Sequence, residues 1–325
     1  VVDFGYTLFT EQADPRQLVR DAVAAERAGF DFAVSSDHYF PWLDELGHSA
    51  YCWAVLGAVA HVTERMRLMT YVTCPTIRYH PAVVAQKAAT LQLLSEGRFT
   101  LGLGAGENLN EHVVGLDWPP VNVRHEMLAE ACEIISALFD GGYVNYVGEH
   151  YRVDSAKLWD LPEQRVPLAM AVSGRQSCTV FGPLGDHLVA TEPKAELVRL
   201  WDEARPGRPA SRKIGQQPLA YGPDTEEAKQ RAHRLFRWFG GGWKVNSEIP
   251  STAGFAAASQ FVRPEDVAAT IPCGPDVARH VAAVRPFIEA GFTDVALVQA
   301  GPDRQDEFFR FAERELLPAL RAEFG

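Results

Sequence analysis

Two rhythms of apolar residues alternate along this chain of 325 residues. Short continuous apolar runs, such as Val2–Leu8 and Phe30–Val34, read as buried strands. Longer stretches carry apolar residues at helical spacing; Pro15–Ala28 puts Leu18, Ala22 and Ala25 on one face. The alternation continues through helix Ala50–Thr63, strand Met66–Tyr71, helix Pro81–Leu94 with proline in its first turn, strand Arg98–Gly104 and a helix from about Val123 to Phe139. It resumes with strand Val166–Val172, helix Arg175–Leu184, strand Asp186–Ala190, helix Lys194–Glu203, strand Lys213–Tyr221 and helix Thr225–Phe239. Helix Val277–Ala290, strand Asp294–Gln299 and helix Gln305–Ala322 complete the pattern.

One junction recurs. Ala28-Gly29-Phe30-Asp31 and Ala290-Gly291-Phe292-Thr293-Asp294 both read as a helix-ending glycine feeding an apolar strand, and Gly185-Asp186 repeats the core of that step. Short helix-to-strand steps separated by long helices require parallel strand pairing. About eight such strands fit a closed (β/α)8 TIM barrel, which needs about 250 residues. The chain therefore reads as a single α/β domain over 1–325, with surplus in Val144–Asp160 and Phe239–Pro272. The second segment, rich in Gly, Ser, Thr and Ala, reads as an insertion over the barrel mouth, at its C-terminal face. An open doubly wound sheet is the other candidate, but no GxGxxG joins an early strand to a helix.

Composition narrows the function. Lys and Arg number 31 against 42 Asp and Glu, a net charge of −11, which argues against nucleic-acid or anionic-membrane partners and leaves a small-molecule substrate. Five scattered cysteines with no paired or metal-ligand spacing read as reduced thiols of a cytoplasmic protein. There is no signal-type segment and no run long enough to span a membrane. No zinc or calcium motif and no GxSxG elbow occurs, so neither a metal site nor a serine hydrolase is expected.

The chemistry gathers at strand ends. Ser35-Ser36-Asp37-His38-Tyr39-Phe40-Pro41-Trp42 stops a buried strand at adjacent carboxylate and imidazole groups, and Asp37 can hold His38 as a base near neutral pKa. Thr70-Tyr71-Val72-Thr73-Cys74-Pro75-Thr76 is small and β-branched and offers a flat surface for a planar ring. In Gly102-Leu103-Gly104-Ala105-Gly106-Glu107-Asn108-Leu109-Asn110, alternate glycines permit close backbone approach, and Glu107 follows the strand end. A dinucleotide fingerprint would sit at a first strand with an acidic residue about 20 positions on, so this motif does not indicate NAD. Ser173-Gly174-Arg175-Gln176-Ser177 opens a helix, where backbone N–H groups can meet an anion. Glu11, after the first strand, and Lys194, after a later one, are further polar candidates for the same mouth.

Taken together, these motifs resemble the luciferase-like flavin and deazaflavin oxidoreductases, in the coenzyme F420-dependent branch. The likeness runs from Phe4-Gly5-Tyr6 to the last helix and rests on Ser36-Asp37-His38 with Pro41-Trp42, Pro75-Thr76-Ile77-Arg78-Tyr79-His80-Pro81, and Gly104 to Glu111, in the family's order and spacing. The resemblance implies a TIM barrel holding F420 at its C-terminal strand ends, with an FMN-dependent monooxygenase on the same barrel as the alternative. It implies His38 as the base for a substrate hydroxyl, Glu107 as the acid toward the cofactor, Trp42 beside the substrate and Glu11 lining the same pocket. Asp37, Tyr71, Val72, Cys74, Asn110, Ser173, Gly174, Arg175, Gln176 and Ser177 match cofactor positions, the last five around its phosphate. Tyr71-Val72 matches the family's non-proline cis peptide. Lys194 matches one substrate cation of the sugar-phosphate enzymes, but Glu265-Asp266-Val267-Ala268-Ala269-Thr270 carries no second one. A lone lysine is a poor clamp for a dianion, which argues against glucose 6-phosphate. A homodimer is typical of the family.

Overall fold

The first helix shows how local sequence sets each repeating unit. In the computed structural model, which describes residues 2–325, Asp14 accepts the Arg16 and Gln17 backbone N–H groups at 2.9 and 3.1 Å, and Pro15 opens the helix. Leu18, Ala22 and Ala25 turn inward and are buried; burying one leucine contributes about 1.5–3 kcal/mol. Gly29 ends the helix in the left-handed region (φ +97°), and Phe30 N–H bonds back to the Ala25 carbonyl. Gly291 repeats this conformation at φ +93°. Gly185 departs from the expected junction. It is not left-handed; its missing Cβ instead leaves room for Met170 and Trp201, whose atoms lie 2.3 and 3.0 Å from where one would sit.

The strands are β1 (Asp3–Leu8), β2 (Phe32–Ser35), β3 (Arg67–Thr70), β4 (Phe99–Leu103), β5 (Val144–Val147), β6 (Arg152–Ala156), β7 (Leu168–Ala171), β8 (His187–Val189), β9 (Lys213–Leu219) and β10 (Asp294–Gln299). Eight of them close a barrel in the order β1-β10-β9-β8-β7-β4-β3-β2, every pairing parallel. The helices before the mouth segment are α1 (Pro15–Ala28), α2 (Cys52–Val62), α3 (Pro81–Leu94), α4 (Asn108–Glu111), α5 (Val121–Phe139), α6 (Arg175–Phe181), α7 (Ala195–Glu203) and α8 (Thr225–Phe236). After them come α9 (Trp243–Asn246), α10 (Thr252–Ala258), α11 (Pro264–Ala268), α12 (Val277–Glu289), α13 (Gln305–Phe311) and α14 (Leu317–Phe324).

The expected TIM barrel is therefore present, and three helices differ most from their predicted extents. α6 stops at Phe181, short of Leu184. α8 stops at Phe236, where a tight turn over Arg237–Gly241 begins. The last helix is broken by a π turn over Ala312–Leu316, just ahead of Pro318, which lacks the N–H that a regular helix needs there.

Three apolar layers follow from this topology. Phe32, Val34, Met69, Ala169, Val189, Ile214 and Ala296 form one inner cluster, while a much larger one lies between the sheet and its helices. The N-terminal strand ends carry charge: Arg67 donates to Asp3 at 2.7 Å and Arg212 Nε donates to buried Asp294 at 2.8 Å. The reactive groups described below sit at the opposite end.

The two surplus segments differ in position. β5 and β6 form an antiparallel hairpin against the flank of α5, where Glu130 accepts the Glu149, His150 and Tyr151 N–H groups. The 239–272 segment folds as α9, α10 and α11 over the mouth, contributing Phe255 and Val267 to a third cluster with Trp42 and Phe9. All five cysteines are free and buried. No helix among the described residues is long and apolar enough to cross a membrane.

Candidate active site

His38 stands three residues past the end of β2 and is flanked by two carboxylates from other strand ends. Glu11, just past β1, brings Oε1 to 2.8 Å from His38 Nδ1, and Glu107, just past β4, brings Oε2 to 3.5 Å from Nε2. Glu11 is fully buried; its other oxygen accepts Ser36 Oγ at 2.5 Å and Thr10 Oγ1 at 3.0 Å. These hydroxyls fix the carboxylate against the imidazole. Burial alone would discourage charge on His38, but Glu11 and then Glu107 outweigh it and lift the imidazole to about 9. Burial, the largest influence on Glu107, raises that carboxyl against the opposing pull of His38. Asn110 ties the pair to the chain: its Nδ2 donates to Glu107 at 3.1 Å, and its Oδ1 accepts the Tyr39 and Phe40 N–H groups.

The expected tuning of His38 by Asp37 is corrected by this geometry. Neighbours along an extended chain face opposite ways, and Asp37 faces away from the imidazole. Its Oδ2 accepts Thr73 Oγ1 at 2.7 Å and Trp53 Nε1 at 3.1 Å; its Oδ1 accepts Tyr79 OH at 3.1 Å. Arg78 donates to the Asp37 carbonyl at 2.6 Å and also approaches Glu111, which accepts the Arg78 N–H. Burial lifts the Glu111 carboxyl to about 7, against the pull of Arg78. Asp37 thus anchors the loop after β3, and the charge partner of His38 is Glu11. The expected pKa near 7 becomes about 9 for the same reason.

Two cavities meet at His38 and Glu107. One of about 510 Å³ is bounded by Asp37, Tyr71, Val72, Cys74, Asn110 and Gly104 at its inner end and by Ser173–Ser177 at its outer end. Another of about 700 Å³ is bounded by Glu11, Trp42, Trp238, Phe236 and other apolar groups. His38, Tyr71, Glu107, Thr191 and Trp243 border both. The Tyr71–Val72 peptide at this boundary is cis. The β4 glycines serve it differently from the reading above. A Cβ on Gly102 would lie 1.9 Å from the Thr70 carbonyl oxygen, and one on Gly104 would lie 2.6 Å from Val72 Cγ2. The group that approaches them is the neighbouring β3 strand end. The residues of the smaller cavity nevertheless fit a flat ring: Val72, Gly104, Ala105, Ala171 and Ala190 leave a shallow wall, and a Cβ on Gly174 would meet nothing within 4 Å.

At the outer end, the helix-start donors are partly engaged. Ser177 Oγ accepts the N–H groups of Ser173 and Gly174 at 3.1 and 3.2 Å. The larger cavity is walled by aromatics. Trp42 lies edge-on to His38 with ring centres 4.9 Å apart, and stacks on Trp238 at 4.1 Å and 11°. Trp238 belongs to the turn leading into the mouth segment and carries no motif that would have revealed it. Lys194 is half-exposed, is paired with Glu192, and does not border this cavity. Arg279, at the start of α12, is the one Lys or Arg that borders it among the described residues. Among those residues no group of three or more His, Cys, Asp or Glu side chains gathers into a metal site.

Comparison with known proteins places this architecture. The model of the luciferase-like monooxygenase family matches residues 2–294. An F420-dependent glucose-6-phosphate dehydrogenase of Amycolatopsis mediterranei is 34% identical over 98% of each chain. An F420-dependent hydroxymycolic acid dehydrogenase of Mycobacterium tuberculosis is 35% identical over 98% of this chain and 88% of its own. A solved F420-dependent secondary alcohol dehydrogenase, in complex with an F420-acetone adduct, superposes with a TM-score of 0.90 at 28% identity, covering 98% of this chain and 99% of the other. The family match over most of the chain, the parallel barrel and the strand-end residues agree: the chain belongs to the luciferase-like family.

Proposed function

We propose that the protein is an F420-dependent oxidoreductase that interconverts a secondary alcohol and its ketone. The observation that carries this reading is the junction of two cavities at His38 and Glu107. The smaller cavity would hold the deazaflavin ring against Tyr71, Val72 and Ala105, with its anionic tail toward Ser173–Ser177. When bound, that cofactor supplies a hydride acceptor or donor. The protein's part is to dock both molecules, exclude water and move the protons that accompany the hydride.

His38 serves the substrate oxygen. In oxidation the neutral imidazole takes the hydroxyl proton as the C–H hydride leaves, so no cationic carbonyl forms. In reduction the imidazolium returns that proton to the developing alkoxide. Glu11 charges the imidazole and so favours the loaded acid at neutral pH; ketone reduction is the direction it supports there. Glu107, on the cofactor side, would exchange a proton with the ring side, and burial, which raises its carboxyl, favours that acid role. Trp42 and Trp238 form the wall against the substrate carbon chain.

The lining favours an apolar substrate. Trp42, Phe236, Trp238, Ala269 and Ala283 dominate the larger cavity, and Arg279 is the one guanidinium on its lining. A sugar phosphate dianion would meet too few cations here, so the substrate class is a secondary alcohol or ketone with apolar substituents. The reading extends to a cytoplasmic location and a homodimer; light scattering on the purified protein would test the second. The function itself is tested by titrating the protein with oxidised F420 and with FMN, then adding secondary alcohols and glucose 6-phosphate while following loss of visible absorbance. Tight F420 binding and bleaching by apolar secondary alcohols are expected. Preferential FMN binding with oxygen consumption would replace this reading with a monooxygenase.

A further inference from the structure

Arg124 is a buried cation with unused donors at the edge of the smaller cavity. It lies in the first turn of α5, is 3% exposed, and its guanidinium rests on the Trp118 ring at 4.0 Å. One nitrogen, Nη2, donates to Glu248 Oε1 at 2.8 Å. The other two, Nε and Nη1, are buried and have no protein acceptor. A guanidinium cannot shed its proton to escape this situation, and a buried donor to a charged group left unmade is costly. An arginine serving only as a staple for Glu248 would turn its two-pronged edge to that carboxylate. Here it spends one donor of five.

The surroundings point to an anion. Arg124 borders the smaller cavity together with Ser173–Ser177, Arg175, Lys244 and Glu248. The Ser173 and Gly174 N–H groups are already taken by Ser177 Oγ, whereas Nε and Nη1 of Arg124 are buried and unused at the edge of the same cavity. Its one present partner, Glu248, comes from the mouth segment. The side chain of Glu248 is 52% exposed and is also held by Trp118 Nε1 at 2.9 Å and by Ser247 Oγ at 3.2 Å.

We propose that Arg124 binds an oxyanion of the cofactor tail, and that Glu248 holds its guanidinium in place until the tail arrives. The inference rests on the F420 reading above. It assigns recognition of the tail to α5 and the mouth segment as well as to the helix start at Ser173–Ser177. An added charge-assisted hydrogen bond of this kind contributes about 1.5–3 kcal/mol, or roughly 10- to 150-fold in affinity.

The test is a set of binding titrations, read by fluorescence, with the intact protein and three ligands: F420, its phosphorylated chromophore without glutamates, and the ribityl chromophore without phosphate. Arg124→Gln is expected to weaken F420 at least tenfold while leaving the phosphate-free chromophore within about threefold. Loss shared by F420 and the phosphorylated chromophore assigns the phosphate; loss confined to F420 assigns a tail carboxylate. Glu248→Gln, which removes the negative charge beside the guanidinium, is expected to tighten F420 and not the phosphate-free chromophore. Equal weakening of all three ligands by Arg124→Gln, or no weakening of any, would overturn the proposal. If Arg124→Gln does not fold, unchanged F420 affinity in both Arg124→Lys and Glu248→Gln would overturn it. Failure of the wild-type protein to bind even the phosphate-free chromophore would instead remove the F420 reading, and this inference with it.

Discussion

Replacing Glu11 with glutamine should discharge His38. The substitution keeps the size of the side chain, leaves one amide oxygen to accept Ser36 and Thr10, and removes one charge 2.8 Å from Nδ1. Coulomb attraction falls with inverse distance, so Glu11 supplies somewhat more than half of the attraction and Glu107, at 3.5 Å, the rest. The imidazole stands at about 9 against an ordinary 6.5, even after burial has worked against it. Losing the larger share should bring it to roughly 7, a fall of about two units, or about 3 kcal/mol. The sign follows for stability. A histidine whose folded pKa is raised contributes stability in full below about pH 6.5, and that contribution disappears as pH rises through about 9. Glu11→Gln should therefore be less stable than wild type near pH 6.5, with the gap closing toward pH 10. The assay is NMR titration of histidine-labelled protein, with the His38 signal assigned by its absence in His38→Gln. A fall of less than half a unit, or a rise, would refute the argument that Glu11 sets this charge.

Two further outcomes follow from the same geometry. His38→Ala should lower turnover with a secondary alcohol by roughly 10²–10⁴-fold, the worth of a positioned proton-transfer group, while F420 affinity changes little; steady-state rates beside a binding titration would check it, and unchanged turnover would remove His38 from the chemistry. Gly102→Ala should cost about 3 kcal/mol or more, because its Cβ would meet the Thr70 carbonyl at 1.9 Å, whereas Gly57→Ala in α2, with open space around it, should be neutral or gain up to about 1 kcal/mol; urea unfolding of the two variants gives the comparison.

The barrel was readable because its signals are local. A left-handed glycine after a capped helix, as at Gly29 and Gly291, shows the turn into the next strand, and parallel pairing follows from the lengths between strands. His38, Glu107 and Trp42 were readable because each follows a strand end, and closure of the barrel gathers strand ends at one mouth. The partner of His38 was misread for an equally physical reason. Asp37 is adjacent in sequence, but its carboxylate turns toward Thr73 and Trp53, and the partner arrives from the next strand over. Lys194 carried the right charge at a fitting position and is neutralised by Glu192, two residues away. Arg124 and Glu248 lie 124 residues apart in the chain and share no motif, so only the fold reveals them. Trp238 is similarly silent, because an aromatic in a Gly-rich turn gives no period.

The central claim is direct transfer of one hydrogen, as hydride, from a substrate carbon to the cofactor across the His38–Glu107 boundary. Single-turnover reaction with a secondary alcohol deuterated at its carbinol carbon tests it most directly. One deuterium should be recovered in the reduced F420, with a matching slowing of the wild-type reaction. Loss of the label to solvent, or substrate oxidation that consumes oxygen and leaves F420 unlabelled, would contradict the account.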